Sequence, residues 1–276
     1  MGTPPRVTVA PRQSLGQNFL VDDNIAAKIV RELRLAPDDE VVEIGPGHGA
    51  LTNHLATATS NLTAVEIDGR VIAELRKKFH SPDVEIIHAD IMNLSFSRLR
   101  SGSSRRLRVV GNIPYHLTSP IIFKSFDEHE ALLDLTIMIQ REVARRIVAG
   151  PSSKEYGILS VLTKFYGSPT ILFNVSPHCF YPKPNVSSSV IRIAFHESLP
   201  EGVDKSLLKA IVKATFGKRR KTLRNGLKYL ELEEDVMEEA LSADDPLFDR
   251  RPEQLGLEEF VGLTMRLQRI RSHHAA

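Results

Sequence analysis

The stretch that decides the fold is Val41-Val42-Glu43-Ile44-Gly45-Pro46-Gly47-His48-Gly49-Ala50-Leu51. A β-branched run leads directly into three alternate glycines, a pattern that predicts a strand, a tight turn and a helix. Glycines at such a turn also let the backbone approach a ligand closely. Gly45, Gly47 and Ala50 satisfy the G-x-G-x-x-A fingerprint of dinucleotide sites as well, so the loop alone leaves the kind of nucleotide open.

Short apolar runs recur beyond this stretch, at residues 62–65, 84–87, 109–110, 135–139, 171–175 and 190–195. Helical patterns separate most of them, at residues 71–79, 120–126 and 141–149, and Asp22 or Asp23 can cap an earlier helix. Strands that alternate with helices predict an α/β fold with a parallel sheet. The last two runs lack a crossover helix between them, so we expect them to form an antiparallel hairpin at the sheet edge.

The pattern changes after Pro200, where helical periodicity continues and no convincing strand occurs. We therefore predict two domains, a catalytic domain at residues 1–199 and a small all-helical domain at residues 200–276. Residues 1–13 lack periodicity and are predicted to be flexible.

Composition excludes several classes of protein. Hydrophobic residues make up 42% of 276 residues, which excludes wholesale disorder. No apolar run approaches the ~20 residues of a membrane span, and we expect no membrane association. The single cysteine, Cys179, excludes an internal disulfide and favours a reducing compartment, so we expect a cytoplasmic protein. We assign no metal site.

Residues Asn112-Ile113-Pro114-Tyr115 follow the apolar run at 109–110 and indicate the chemistry of the site. The Asn112 side-chain oxygen and the Ile113 carbonyl can both accept hydrogen bonds from one amine. Pro114 restricts Ile113 to extended conformations, and Tyr115 can stack on the flat ring that carries the amine. This set predicts a grip on a planar group that bears an NH₂.

Carboxylates end the two strands that follow the glycine loop. Glu66 lies at the distance where an acid accepts hydrogen bonds from ribose hydroxyls, and Asp90 can accept one from an adenine amine. Ligands of open α/β sheets bind outside the carboxyl ends of the strands. We therefore expect Gly45, Glu66, Asp90 and Asn112 to face one crevice.

These segments resemble the S-adenosylmethionine-dependent ribosomal RNA adenine N6-dimethyltransferases. The resemblance rests on Glu43-Ile44-Gly45-Pro46-Gly47-x-Gly49, Glu66-x-Asp68, Ala89-Asp90 and Asn112-Ile113-Pro114-Tyr115, and it extends over about residues 13 to 230. Gly16-Gln17-Asn18-Phe19-Leu20 is similar to the family's opening motif, and residues 180–188 to its substrate loop, with the serine register open among 187–189. The resemblance implies a Rossmann-like class I methyltransferase sheet.

The resemblance also implies roles for individual residues. The cofactor S-adenosylmethionine would contact Gln17, Asn18, Leu20, Gly45, Gly47, Glu66, Ile67, Asp90, Ile91 and Asn112. The target adenine would lie between Tyr115 and Phe180. Residues 115–120 and 216–225 resemble the branch that modifies small-subunit RNA (the KsgA type), whose substrate is a pair of neighbouring adenosines in a hairpin loop near the 3′ end. We expect a monomer that acts on this RNA or on the pre-ribosomal small subunit.

Residues 205–228 contain nine lysines and arginines and no aspartate or glutamate. A solvated helix face usually mixes signs, so this stripe predicts contact with RNA phosphates. We assign RNA binding to Lys218, Arg219, Arg220, Lys221 and Arg224. Two arginine triplets, at 105, 106 and 108 and at 141, 145 and 146, are candidates to extend the stripe.

Three other functions stay open at this point. A nicotinamide dehydrogenase would need a second nucleotide half, and residues 112–115 would have no role in it. A glutamine N5-methyltransferase uses a related Asn-Pro-Pro-Tyr set but needs no basic helical domain. A non-enzymatic RNA-binding or transcription factor could keep the same fold.

Overall fold

The computed structural model describes residues 9–100, 105–242 and 245–274. Of the segment predicted to be flexible, residues 1–8 lie outside the described residues. The chain forms two compact units, which we call the sheet unit and the helical unit. The sheet unit contains the residues up to Ala144 together with Gly167–Glu197, and the helical unit contains Arg145–Tyr166 together with Ser198–Ala276.

The sheet unit is built on a seven-stranded sheet. Its strands are β2 (Glu40–Ile44), β3 (Asn61–Glu66), β4 (Val84–His88), β5 (Leu107–Asn112), β6 (Leu132–Gln140), β7 (Gly167–Val175) and β9 (Ser188–Phe195). A separate antiparallel pair joins β1 (Phe19–Leu20) to β8 (Phe180–Tyr181). All seven runs that the sequence predicted as strands are strands.

The strand order is β4-β3-β2-β5-β6-β9-β7, and the first five strands in this order are parallel. Strands β7 and β9 pair antiparallel with β7 at the edge, which confirms the predicted hairpin. The chain builds outward from β2 to β4 and then returns to place β5 on the other side of β2. The order therefore reverses between β2 and β5, the place where open α/β sheets leave a crevice.

Helices of the sheet unit connect these strands. They are α1 (Asp23–Leu33), α2 (Thr52–Ala58), α3 (Gly69–Lys78) and α4 (Thr118–Asp127), and α5 (Arg141–Val148) leads out of the unit. Asp22 caps α1 by accepting a hydrogen bond from the Ile25 amide, as the sequence predicted. All five residues of β2 are buried, because helices cover both faces of the central strands.

The helical unit contains α6 (Ile158–Tyr166), α7 (Lys205–Gly217), α8 (Leu223–Leu227), α9 (Glu234–Ser242) and α10 (Leu257–His274). The sequence placed every residue before 200 in one domain, whereas residues 145–166 group with the C-terminal helices. The Tyr156 side chain explains the difference: it is buried, its hydroxyl donates to the Leu255 carbonyl at 2.8 Å, and its ring packs on Phe216. Periodicity predicted these helices but not the partners against which they pack.

Within residues 9–100, 105–242 and 245–274, no helix has both the length and the apolar character that crossing a membrane requires.

Candidate active site

A cavity of about 300 Å³ opens at the carboxyl ends of β2 to β5, within the sheet unit. Every residue predicted for catalysis or for cofactor binding lines this cavity: Gln17, Asn18, Leu20, Gly45, Gly47, Glu66, Ile67, Asp90, Ile91, Asn112, Ile113, Pro114, Tyr115 and Phe180. The expected crevice is therefore present. The roles of the individual residues stay predictions.

The glycine loop after β2 forms the floor of the cavity. Gly45 and Gly47 have φ angles of +67° and +55°, which side chains on L-residues rarely allow. A Cβ on Gly47 would lie 2.9 Å from the Phe19 ring, while one on Gly45 would meet nothing closer than the Asn112 carbonyl oxygen at 3.9 Å. The missing side chain of Gly45 thus leaves backbone open toward the space between β2 and β5, and that of Gly47 makes room for the Phe19 ring.

Glu66 ends β3 and is buried against this loop. Its Oε2 accepts a hydrogen bond from the Gly47 amide at 3.0 Å, and its Oε1 accepts one from the Asp68 amide at 2.8 Å. Burial raises the pKa of Glu66, and these amide donors oppose that effect. Each carboxylate oxygen keeps a second lone pair that can accept a hydrogen bond from a ligand hydroxyl.

An apolar slot continues from Glu66 along the strand ends. Ile67, 50% exposed, and the buried Ile91 both line the cavity. Asp90 caps the turn that contains Ile91, because its Oδ1 accepts a hydrogen bond from the Met92 amide at 2.9 Å. The second oxygen of Asp90 keeps its capacity to accept. Two branched apolar side chains with a carboxylate beside them suit a flat ring that carries an amine.

Residues 15–20 form another wall of the cavity, and side chains tie this segment in place. Gln17 Nε2 donates to Asp68 Oδ2 at 3.0 Å, and Arg70 forms a salt bridge with the same carboxylate at 2.5 Å. The Arg70 guanidinium, followed by the Gln17 amide, holds the pKa of the Asp68 carboxyl well below its usual range. Strand β1 adds backbone pairing to Phe180 and Tyr181. The wall is therefore held by an ionised carboxylate at one end and by a strand pair at the other.

The Asn112 amide is oriented by that wall. Its Nδ2 donates to the Asn18 carbonyl at 2.9 Å. A carbonyl only accepts hydrogen bonds, so the amide NH₂ must face Asn18, and Oδ1 is left as the acceptor that the side chain can offer to a ligand. The opening motif and residues 112–115 are thus joined by one contact that the sequence did not reveal.

The Tyr115 ring is held by a distant serine. Tyr115 Oη lies 2.7 Å from Ser188 Oγ, and Ser188 is fully buried. Ser189 instead donates to Asn174. Of the three serines at 187–189, Ser188 is therefore the one that contacts Tyr115. Burial raises the pKa of Tyr115, so its hydroxyl stays protonated at neutral pH.

Glu43 is a cavity residue to which sequence reasoning assigned no role of its own. It is 1% exposed, and its Oε2 accepts a hydrogen bond from Thr52 Oγ1 at 2.6 Å. Burial raises the pKa of Glu43 to about 8, and the neighbouring charge of Glu66 acts in the same direction. A carboxylate inside the apolar run at residues 41–44 is the sequence feature that could have identified it.

The five residues predicted to bind RNA separate into two groups. Arg219 forms an ion pair with Glu253 at 2.6 Å and donates to the Ser153 and Lys154 carbonyls. Arg224 donates to the Leu241 carbonyl and lies over the Phe248 ring at 5.4 Å. These two arginines hold the helical unit together, because their donors are engaged inside it. Three others are exposed at its surface: Lys218, Arg220 and Lys221.

The arginine triplet of the sheet unit is likewise occupied by internal contacts. Arg105 pairs with Asp38, and Arg106 donates to the His196 carbonyl at 3.0 Å. Arg108 is buried between Asp39 at 2.9 Å and Asp134 at 2.7 Å. Arg108 does not extend a surface stripe, since its guanidinium neutralises buried carboxylates.

Known proteins resemble this chain over most of its length. The family model described as ribosomal RNA adenine dimethylase matches residues 9–255. A protein of Parabacteroides distasonis named ribosomal RNA small subunit methyltransferase A is 42% identical over 257 residues, which cover 93% of this chain and 94% of that protein. A protein of the same name from Alkaliphilus oremlandii is 41% identical over 254 residues, 90% of this chain and 88% of its own.

Solved structures agree with the fold. The 23S rRNA methyltransferase ErmE is 26% identical, with a TM-score of 0.64 over 91% of this chain and 100% of its own. A dimethyladenosine transferase from Plasmodium falciparum has a TM-score of 0.78 over 91% of this chain and 97% of its own; at 22% identity it supports the fold alone. From the match over residues 9–255 and relatives above 40% identity, we conclude that the chain belongs to the ribosomal RNA adenine dimethylase family.

Proposed function

We propose that this chain transfers methyl groups from S-adenosylmethionine to N6 of two adjacent adenosines in a hairpin loop near the 3′ end of small-subunit ribosomal RNA. The observation that carries the proposal is the joint placement of Asn112, Tyr115, Glu66 and Asp90 around one cavity. The names of the relatives point to the same RNA, and the family membership excludes the dehydrogenase and glutamine methyltransferase alternatives.

The residues of the cavity fit the proposed cofactor. Gly45 leaves room for a ligand against bare backbone, and Glu66 has lone pairs for ribose hydroxyls. The adenine of the cofactor would lie between Ile67 and Ile91, with its amine at Asp90. S-adenosylmethionine supplies a methyl group on a positively charged sulfur. Gln17, Asn18 and Leu20 would cover the bound cofactor from the wall formed by residues 15–20.

The target adenine would enter on the side of residues 112–115. Asn112 Oδ1 and the Ile113 carbonyl would accept the two N6 protons, with Pro114 (φ −56°) holding the chain direction. Tyr115 would stack on one face of the base, and the buried Phe180 ring would meet the other. A base in a paired stem cannot reach this site, so the target must be unpaired or extruded.

The chain's own groups would act by positioning and by electrostatic stabilisation. An adenine amine is a poor nucleophile because its lone pair is delocalised into the ring. Two acceptors on its protons favour a tetrahedral nitrogen, whose lone pair then forms the N–C bond as the C–S bond breaks. The positive charge gathers on N6, and one proton leaves to solvent. No strong base is required of the protein.

We further propose that the chain acts as a monomer. The exposed cations of the helical unit, Lys218, Arg220 and Lys221, support contact with RNA phosphates. We infer from the proposed substrate that the chain acts in the cytoplasm, on the RNA or on the pre-ribosomal small subunit.

The test is methyl transfer from labelled S-adenosylmethionine to small-subunit RNA and to small-subunit particles, followed by mapping of the modified bases. We expect label at N6 of two neighbouring adenosines. Asn112→Ala should lower turnover by about 10²–10³, the usual loss for one preorganised hydrogen-bonding group. Asn61→Ala, at an exposed position at the start of β3, is the matched control and should methylate normally.

Two outcomes would contradict the proposal. The first is the absence of transfer to either RNA substrate by a chain that binds S-adenosylmethionine, as a non-enzymatic RNA-binding factor would behave. The second is near-normal turnover of Asn112→Ala, which would remove the amine grip from the mechanism.

A further inference from the structure

Tyr229 is a large aromatic side chain that the fold leaves in solvent. It follows α8 in the helical unit and is 50% exposed. Its backbone position is well defined, because its amide donates to the Gly226 carbonyl at 3.1 Å. A Cβ on Gly226 would lie 3.1 Å from Thr215 Cα, so the glycine lets α8 pack closely on α7. This packing determines where the Tyr229 ring emerges.

Two lysines of the turn after α7 lie against this ring. Lys218 Nζ is 4.5 Å from the ring centroid, and Lys221 Nζ is 5.2 Å from it. Lys221 also donates to the Tyr229 hydroxyl at 3.1 Å. The turn itself closes with a hydrogen bond from the Lys221 amide to the Lys218 carbonyl at 2.7 Å, which sets the two side chains beside each other. Cations over an aromatic face are attracted to it.

Two further exposed cations belong to the same stretch of chain. Arg220 lies between Lys218 and Lys221 in sequence, and Lys228 immediately precedes Tyr229. Among the residues that the structure describes, no carboxylate forms an ion pair with Lys218, Arg220, Lys221 or Lys228. We call these four cations together with Tyr229 the basic-aromatic patch. Its charge is available to an anionic ligand, unlike that of Arg219, which Glu253 neutralises.

We propose that the basic-aromatic patch binds a single-stranded segment of RNA. One unpaired base stacks on the Tyr229 ring in place of the Lys218 and Lys221 ammonium groups, and these lysines then contact the adjoining phosphates together with Arg220 and Lys228. The inference rests on the proposed function, because it takes the ligand to be RNA. Single-strand sites combine basic side chains that follow the backbone with aromatic rings on which bases stack. A continuous duplex offers phosphates but no free base face, so it would use the cations without the ring.

The test measures RNA affinity of the full chain by fluorescence anisotropy over a range of salt concentrations. The two probes are a hairpin with an unpaired loop and the same stem closed into a continuous duplex. Tyr229→Ala should bind the loop hairpin roughly tenfold more weakly, the order that stacking of one base contributes. The slope of log affinity against log salt should not change, because the substitution removes no charge. Tyr229→Phe should stay within about twofold of the parent.

The lysines should give the opposite signature. Lys218→Gln and Lys221→Gln together should flatten the salt slope by about 1.4, since each phosphate contact to a single strand contributes about 0.7. Met265→Ala removes another exposed apolar side chain of the helical unit, 38% exposed, and is the control for a general surface effect. It should leave the affinity for both probes unchanged.

The possible failures are distinguishable. Equal binding of the loop hairpin by Tyr229→Ala and the parent overturns the inference, and so does an equal loss on loop and duplex probes. In either case, normal methyl transfer at saturating RNA leaves the proposed function intact. A parent chain that binds the loop through Tyr229 without transferring a methyl group contradicts the proposed function and supports the patch.

Discussion

Replacement of Glu43 by glutamine should stabilise the protein in alkaline solution. Glu43 is buried in β2, and its pKa is raised to about 8 from an ordinary value of 4.5. The folded state therefore binds the proton more tightly than the unfolded state does. Stability from this group is fully present below pH 4.5 and is lost as the pH rises through about 8. The glutamine variant has no such loss.

The raised pKa determines the size of the effect. At about 1.4 kcal/mol for each tenfold change in proton binding, the displacement corresponds to an upper bound of about 5 kcal/mol. Relaxation around a buried charge lowers such penalties, so we expect a measured difference of about 2–4 kcal/mol. Thr52 can donate to the amide oxygen of a glutamine as it does to Glu43, so the substitution should keep this hydrogen bond.

The assay is urea unfolding of both proteins, monitored by circular dichroism, at pH values from below 4.5 to above 8. The free energy of unfolding of Glu43→Gln minus that of the parent should grow with pH across this window, because titrating groups that do not interact with Glu43 cancel in the difference. Glu85→Gln, at an exposed position of β4, controls for loss of a carboxylate. A difference that stays constant or falls as the pH rises would refute the assignment of a neutral Glu43.

Three further outcomes are expected. Gly47→Ala should weaken S-adenosylmethionine binding measured by calorimetry by about 1 kcal/mol or more, because a Cβ at φ +55° is strained and would lie 2.9 Å from the Phe19 ring, so the cavity lining must shift; an unchanged affinity would remove this loop from the cofactor site. Arg108→Met should destabilise the protein by about 3–5 kcal/mol in thermal unfolding, because the buried Asp134 loses its close cation and keeps only Arg192, whose Nε is 3.9 Å away; a loss under about 1 kcal/mol would contradict that account. Ser188→Ala should lower kcat several-fold with little change in cofactor affinity, because the Tyr115 ring loses its anchor. Adding Tyr115→Phe to this variant should then lower kcat little further, and a large additive loss would show that the two residues act separately.

Local sequence was sufficient for much of the fold. Residues 41–51 predicted the strand and glycine turn because positive φ angles at a turn require glycine, and Gly45 and Gly47 have them. The antiparallel hairpin at the sheet edge followed from the absence of a crossover helix, and β7 and β9 form it. The placement of Gly45 and Asn112 in one cavity followed from a general rule: ligands bind at the carboxyl ends of parallel strands, where the strand order reverses.

Partners distant in sequence escaped prediction. Nothing in the sequence joined Ser188 to Tyr115, whereas the fold places their hydroxyls 2.7 Å apart. The arginines of the basic stripe were indistinguishable until Glu253 was found beside Arg219. Residues 145–166 had a helical pattern, but their grouping with the C-terminal helices depends on the burial of Tyr156. Each of these contacts joins segments that are far apart in sequence, and a pattern over neighbouring residues cannot predict such a contact.

The sequence by itself therefore determined the strands, the glycine turn and the set of residues at the strand ends, because backbone preference and hydrophobic periodicity act over a few neighbouring residues. The tertiary structure alone decided which charges are free and which are neutralised. The elevated pKa of Glu43, the orientation of the Asn112 amide by the Asn18 carbonyl and the exposure of Tyr229 all belong to this second class. They depend on burial and on contacts between distant segments, and both exist only once the chain has packed.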